Sequence, residues 1–196
     1  MNVKSMKVHD DPRIMIFEIP DIIWGEIKSW VKESKRIKNH PLAELKAHEN
    51  VGYLDFGTGE KNNSYQCSIS PHLIDQSYWL PWVLRLCAEH WGVEKNNHHR
   101  RFKLRKWEGH FDGYDLWTNF SYKGDKNPQH NHAGWLSGVI YYQNHEHPTI
   151  FPNQNMGYEG KNKTMILFPS SVEHFVEEQT VNKERITIAF NISLSQ

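Results

Sequence analysis

The spacing of hydrophobic positions changes along this chain. Residues 13–20, RIMIFEIP, have the β-branched and aromatic character of a strand. Residues 21–37, DIIWGEIKSWVKESKRI, place Ile23, Ile27, Trp30 and Val31 on one helical face, with Asp21 as the candidate N-cap. Residues 39–70 are polar and turn-rich. A second helix follows in SYWLPWVLRLCAEHWG, residues 77–92, where Trp79, Val83, Leu86 and Cys87 share a face and Gly92 supplies the stop. From about residue 99 the period shortens to that of strands. RRFKLRKW, YDLWTNFSY, WLSGVIYYQ, PTIF, KTMILFPS, VEHFVEE and RITIAFNISL follow one another, separated by Gly, Asn, Pro and Lys clusters. Two helices followed by about seven short strands predict a mainly β fold with α, an antiparallel jelly roll buttressed by N-terminal helices. With no repeat, linker or low-complexity tract, residues 1–196 read as one domain: 1–98 as helical and strand support, 99–196 as the β core.

Composition narrows the function classes. Lys+Arg and Asp+Glu both number 23, the sequence pI is about 7.2, and no long run of like charge offers a nucleic-acid arm or a polybasic membrane patch. The two cysteines, Cys67 and Cys87, have no CxxC spacing, which argues against a disulfide framework and a thiolate zinc site and suits a reducing compartment. The N-terminal residues lack the apolar run of a signal peptide, and no segment is apolar for long enough to span a bilayer. The expectation is a cytoplasmic protein with a small-molecule or peptide substrate and neither a nucleic-acid nor a membrane partner. The unusual count is histidine, 13 in 196 residues.

Two of those histidines stand in PQHNHAGW. On a strand, His130 and His132 project to the same face, and a pair two residues apart is read either as a polar rim or as two metal ligands. His174, where FPSSVEH turns out of an apolar segment, is a third candidate. Arg185 opens RITIAFN, otherwise an apolar strand, and a guanidinium there calls either for a structural salt bridge or for an acidic ligand. A second histidine pair, His145 and His147 in NHEHP, and the NNHHRR segment at 96–101 read as solvated connections.

Together these segments resemble the core of the Fe(II)/2-oxoglutarate-dependent oxygenases over roughly Asp115–Leu194. Within that superfamily they are most similar to a 2OG-Fe(II) oxygenase group common in marine bacteria and their phages. The match runs through Trp117 and Asn119, His130 and His132, SGVIYY at 137–142, FPSSVEH at 168–174 and RITIAFN at 185–191. The resemblance implies a double-stranded β-helix with Fe(II) held by His130, His132 and His174. It also implies 2-oxoglutarate as co-substrate, its far carboxylate on Arg185 with Thr187, Tyr142 and Asn119 as supporting contacts, and dioxygen as the oxidant. The implied reaction hydroxylates a C–H bond and releases succinate and CO2. Three open metal positions beside three protein ligands suit that chemistry. The departure from the superfamily signature is His132, which stands where a carboxylate is usual and leaves Asp125 as a rival third ligand. Tyr142 is read either as a carboxylate contact or as a core aromatic. Residues 38–70, 108–114 and 152–162 are expected to wall the pocket.

Two other classes fit parts of the pattern. A cupin-like three-histidine protein could be a 2-oxoglutarate-independent dioxygenase or hold zinc with an activated water, but gives Arg185 no role. A non-enzymatic jelly-roll binding protein would leave all the histidines incidental.

Overall fold

In the computed structural model, residues 5–6, 13–39, 64–91, 93–96, 101–104, 107–108 and 110–195 are described. The N-terminal part holds β1 (Ser5–Met6), β2 (Met15–Glu18), α1 (Asp21–Lys38), β3 (Tyr65–Ser68), α2 (Pro71–Asp75) and α3 (Trp79–Trp91). A small antiparallel sheet follows, β4 (Val93–Asn96), β5 (Arg101–Leu104) and β6 (Trp107–Glu108). The remaining strands are β7 (His110–Ser121), β8 (Asn127–His130), β9 (Leu136–Tyr141), β10 (Thr149–Phe151), β11 (Met156–Tyr158), β12 (Thr164–Pro169), β13 (His174–Val176) and β14 (Arg185–Ser195).

These strands form two facing sheets. The major sheet has the order β1-β2-β12-β9-β14-β7-β3 and the minor sheet β11-β10-β13-β8, with antiparallel pairing throughout. From β7 onward the chain alternates between the sheets, β7 and β9 lying in the major sheet with β8 in the minor one. This is the jelly-roll winding of a double-stranded β-helix. The first 98 residues supply strands as well as helices, since β2 flanks β12 on one side and β3 flanks β7 on the other. The polar sequence of β3, YQCS, lacks the alternation that would have revealed it.

Strand alternation gives the major sheet two different faces. Leu116, Phe120, Ile140, Met165, Leu167, Ile186, Ile188, Phe190 and Ile192 point to the helices and pack with Ile23, Ile27, Trp30 and Val31 of α1 and Trp79, Val83, Leu86 and Cys87 of α3. The helical faces read from spacing are therefore the buried ones. Both cysteines are free and buried. The cap of α1 differs from the expectation: Pro20 takes the N-cap position, its carbonyl accepting from Trp24 N at 2.8 Å, because its fixed φ already suits the entry. Asp21 instead sits in the first turn and accepts from Lys163 Nζ at 2.6 Å.

The opposite face of the same sheet looks into the space between the sheets. One end is filled by Ile16, Tyr141, Phe151, Met156, Tyr158, Ile166, Phe168 and Val172. The other end remains open as a cavity.

Candidate metal centre

The cavity has a volume of about 610 Å³ including its open mouth. The major sheet contributes the inward row Trp117, Asn119 and Ser121 from β7 and the row Arg185, Thr187 and Ala189 from β14. These rows lie side by side in register, Arg185 paired with Ser121, Thr187 with Asn119 and Ala189 with Trp117. The minor sheet contributes His130 and His174, which are directly paired across β8 and β13.

The three sequence-predicted histidines come together. Their candidate ligand nitrogens all lie within 4.8 Å of one another, and the ring centroids are 4.3 Å apart for His130 and His174, 4.8 Å for His130 and His132, and 5.2 Å for His132 and His174. The residues between and beside them build this geometry differently. His130 ends β8 and His174 opens β13, so the sheet ladder sets both. His132 lies beyond the end of β8, and its same-face placement comes from the turn that follows rather than from strand alternation.

Second contacts orient two of the rings. His130 Nδ1 is 2.6 Å from Pro128 O, and His174 Nδ1 is 3.1 Å from Val172 O. A carbonyl only accepts, so each Nδ1 carries the proton and each Nε2 keeps its lone pair, the arrangement usual for a metal-bound imidazole. Burial lowers the proton affinity of all three rings. His132 is pushed down to about 4, chiefly by burial with a contribution from neighbouring His130; His130 is lowered by burial, and His174, the most deeply placed, falls well below the ordinary histidine value. Three neutral nitrogen donors facing one point fit a divalent metal. Among the described residues this is the one such group. Asp125 is not part of it; its carboxylate accepts from Tyr122 N at 2.7 Å and closes the turn before β8.

Arg185 is 9% exposed, and its Nε has no hydrogen-bond partner. No carboxylate among the described residues pairs with it, and burial lowers its proton affinity without displacing it from the charged state. An unpaired guanidinium in this position is costly. Thr187 is buried beside it on the strand face, accepting from Asn119 Nδ2 at 3.5 Å, and Asn119 Oδ1 in turn accepts from Trp117 Nε1 at 3.1 Å.

Of the two readings of Tyr142, the structure has the core aromatic. Tyr142 points to the helices, its ring 5.5 Å from that of Trp24, and it does not line the cavity. Tyr141 is the inward member of the pair. It is completely buried, donates to Thr149 Oγ1 at 2.7 Å, and lies close enough to Arg185 for the two to interact electrostatically. The period of two explains the placement: Ser137 and Val139 line the cavity, so the tyrosine on their face is the one at 141.

His145 is the other departure. Predicted as a solvated connection, it is buried against the Tyr141 ring at 5.7 Å, with Nε2 3.1 Å from Ile186 O. Its lowered proton affinity, at about 3, comes from burial first and then from Arg185. His147 stays half-buried and accepts from Thr180 N at 3.1 Å. Of the expected pocket walls, Ser64 and Gln66 contribute, 152–162 does not, and residues 40–63, 109 and the NNHHRR positions 97–100 lie outside the described residues.

No family model matches this chain, and no curated protein matches it by sequence. Solved structures do. The viral collagen prolyl hydroxylase of Paramecium Bursaria Chlorella virus-1 aligns with a TM-score of 0.57 at 13% identity, over 97% of this chain and 100% of that one. The fold is that of the 2OG-Fe(II) oxygenases. A prolyl-4-hydroxylase from Pseudomonas putida aligns over 92% of both chains with a TM-score of 0.56 at 13% identity. A protein from Caulobacter crescentus assigned to the 2OG-Fe(II) oxygenase family gives 0.57 at 9% identity, over 94% of this chain and 79% of the other. At these identities the likeness concerns the double-stranded β-helix.

Proposed function

We propose that this chain is an Fe(II)- and 2-oxoglutarate-dependent oxygenase that hydroxylates a C–H bond of a peptide side chain or small metabolite, with release of succinate and CO2. One observation carries the reading. The same cavity holds three convergent neutral histidines and, on the facing sheet, a buried arginine without a counter-ion. A co-substrate with an oxo-acid head for the metal and a second carboxylate for the guanidinium answers both. The two similar prolyl hydroxylases make a peptide proline the first substrate to try.

In this assignment His130, His132 and His174 hold Fe(II). A bound Fe(II) would supply the open coordination positions at which the oxo acid and dioxygen, the oxidant, could be activated for C–H hydroxylation. The protein's own groups do the rest. The Pro128 and Val172 carbonyls fix the tautomers of His130 and His174, so that their Nε2 atoms face the cavity. Arg185 pairs with the far carboxylate in a charge-assisted hydrogen bond, and the Thr187 hydroxyl adds a donor from the same strand, while Tyr141, whose hydroxyl proton goes to Thr149, lies close to Arg185. Asn119 orients Thr187. Val139, Phe168, Val176 and Ala189 give the cavity apolar walls that keep the reacting groups from bulk water.

A three-histidine site also suits zinc with an activated water, and the neutral third ligand favours that second reading. It leaves Arg185 unexplained. The deciding experiment supplies iron, ascorbate and 2-oxoglutarate and follows succinate formation with oxygen consumption. The proposal expects turnover by the wild type and none by His174→Ala. Zinc retained through purification, with no 2-oxoglutarate binding, would favour the alternative. No helix among the described residues is long and apolar enough to cross a membrane; the two free, buried cysteines support the proposed cytoplasmic, reducing location.

A further inference from the structure

His130 and His174 are fixed by sheet pairing and by hydrogen bonds to their rings. His132 has neither. It stands past the end of β8, and no hydrogen bond among the described residues holds its ring, whose neighbours are Trp117 at 6.4 Å and the other two histidines. Its position therefore depends on the backbone that carries it.

That backbone is clamped from two sides. His132 N donates to Ser170 O at 2.9 Å, Ser170 N donates to Trp135 O at 3.1 Å, and Trp135 N donates to Ile192 O at 2.9 Å. Gly134, between them, has φ of +139°, and a Cβ there would come within 3.3 Å of Ser170 Oγ and of Ile192 O, so a side chain at this point of the turn would crowd both anchors. The anchors are tied together beneath it. Ser137 Oγ lies 2.9 Å from Ser170 Oγ and 2.7 Å from Asn191 Oδ1. One hydroxyl proton can serve only one of these contacts. The amide oxygen accepts from Ser137, and the Ser170 hydroxyl supplies the other proton. Ser137 and Ser170 are 1% and 0% exposed, and Ser137 stands opposite Asn191 in the β9–β14 ladder and opposite Phe168 in the β9–β12 ladder. A polar triad, fully buried at its two serines and half-buried at Asn191, thus joins the turn after β12, where Ser170 lies, to the two central strands of the major sheet.

We infer that Ser137, Ser170 and Asn191 are positioning residues whose hydrogen-bonded triad sets His132 as the third ligand. The inference rests on the metal reading above. It also gives a role to three polar positions in SGVIYY, FPSSVEH and RITIAFN that no other part of the site uses. A ligand on a turn needs such a device, because a displacement of an ångström removes it from the metal while a ligand on a paired strand cannot drift so far.

The test uses the full chain and two readouts. The first, on metal-free protein, is amide hydrogen exchange at His132 and Trp135, referred to Ile140 and Ile188 in the β9–β14 ladder. The second is the dissociation constant for Co(II) as a metal probe, with its visible spectrum as the signature of ligand number. Asn191→Leu, which removes the acceptor, is expected to speed exchange at His132 and Trp135 at least tenfold relative to Ile140 and Ile188. It should also weaken Co(II) by about 10–100-fold and shift the spectrum, the scale on which outer-sphere contacts act. Asn191→Asp, which keeps an acceptor, should recover most of both. Gly134→Ala approaches the clamp from the other side and should loosen Co(II) in the same direction, guarding against a folding defect peculiar to position 191. Wild-type affinity and an unchanged spectrum in Asn191→Leu and Gly134→Ala would overturn the positioning role while leaving the metal site standing. Wild-type protein that binds no Co(II) and no Fe(II) would overturn the metal reading itself, and the positioning of a ligand with it.

Discussion

Tyr141 and Tyr142 are neighbours in the chain, yet one is buried between the two sheets and the other packs on a helix. The same contrast holds across the whole major sheet. Its helix side is sealed with aliphatic and aromatic groups, and Ser34 and Thr118 form a buried polar pair there with oxygens 2.9 Å apart. Its inner side carries histidines facing it, an unpaired guanidinium and a run of hydroxyl and amide groups. One face stabilises the fold; the other retains groups that are costly without a ligand. Substitutions on the two faces should therefore fail in different ways.

The largest effect is expected at the histidines. His174→Ala should abolish stoichiometric iron retention after anaerobic reconstitution while leaving the urea unfolding midpoint of the metal-free protein close to that of the wild type. Trp79→Ala, on the other face, should do the reverse. Trp79 is fully buried between Trp30 and Phe190, so its truncation should lower unfolding stability by about 3–5 kcal/mol. The folded fraction should still bind iron.

Arg185→Met sharpens the contrast on one side chain. Loss of the cation should weaken 2-oxoglutarate binding by about 2–5 kcal/mol, read by calorimetry, with iron still bound. The metal-free variant should be more stable than the wild type, because an unpartnered buried charge is replaced by an apolar chain. A variant that loses stability would show that Arg185 is structural.

The tyrosine pair gives a smaller effect. Tyr141→Phe removes a hydroxyl near Arg185 and its bond to Thr149, and should weaken 2-oxoglutarate by about 0.5–1.5 kcal/mol, the scale of an ordinary hydrogen bond, acting through the setting of Arg185. Tyr142→Phe should leave that affinity unchanged. Equal losses in both variants would erase the distinction between the faces.

Much of this was legible in the sequence, for identifiable reasons. Ile23, Ile27, Trp30 and Val31 revealed α1 because a one-sided helix prints its period on the chain, and RITIAFN did the same for β14. The spacing of His130, His132 and His174 indicated the cluster that the fold assembles. Other features depended on tertiary contacts. The four residues of β8 and the three of β11 are too short to show a period, and β3 is polar because its inner side faces the cavity. The face of a Tyr-Tyr pair requires strand register, which Ser137 and Val139 supply only once they are seen lining the cavity. His145 looked solvated because its segment is polar, whereas its ring is drawn inward by Tyr141 and the Ile186 carbonyl.

His145 gives a prediction of a different kind, a pH dependence. Its folded proton affinity is lowered to about 3, so the unfolded chain binds more protons at this position between the ordinary value of about 6.5 and that point. Its contribution to stability is complete above 6.5 and declines as the pH falls through this window. In His145→Gln, the acid side of the stability profile of the metal-free protein should be flatter than in the wild type. An identical slope would mean that the ring charges without unfolding cost.

The central claim is that the histidines and Arg185 form one site for iron and 2-oxoglutarate. Three neutral imidazoles leave a bound Fe(II) at +2 with no first-shell negative charge, so a dianionic co-substrate should strengthen metal binding by a Coulomb term that a carboxylate ligand would reduce. The most direct measurement is an anaerobic titration of Fe(II) with and without saturating 2-oxoglutarate, repeated in His132→Asp. The account predicts tighter iron binding with the co-substrate, a coupling on the order of 5–150-fold that must appear reciprocally in 2-oxoglutarate affinity, and a smaller coupling in the aspartate variant. Iron affinity that is the same with and without 2-oxoglutarate would contradict it.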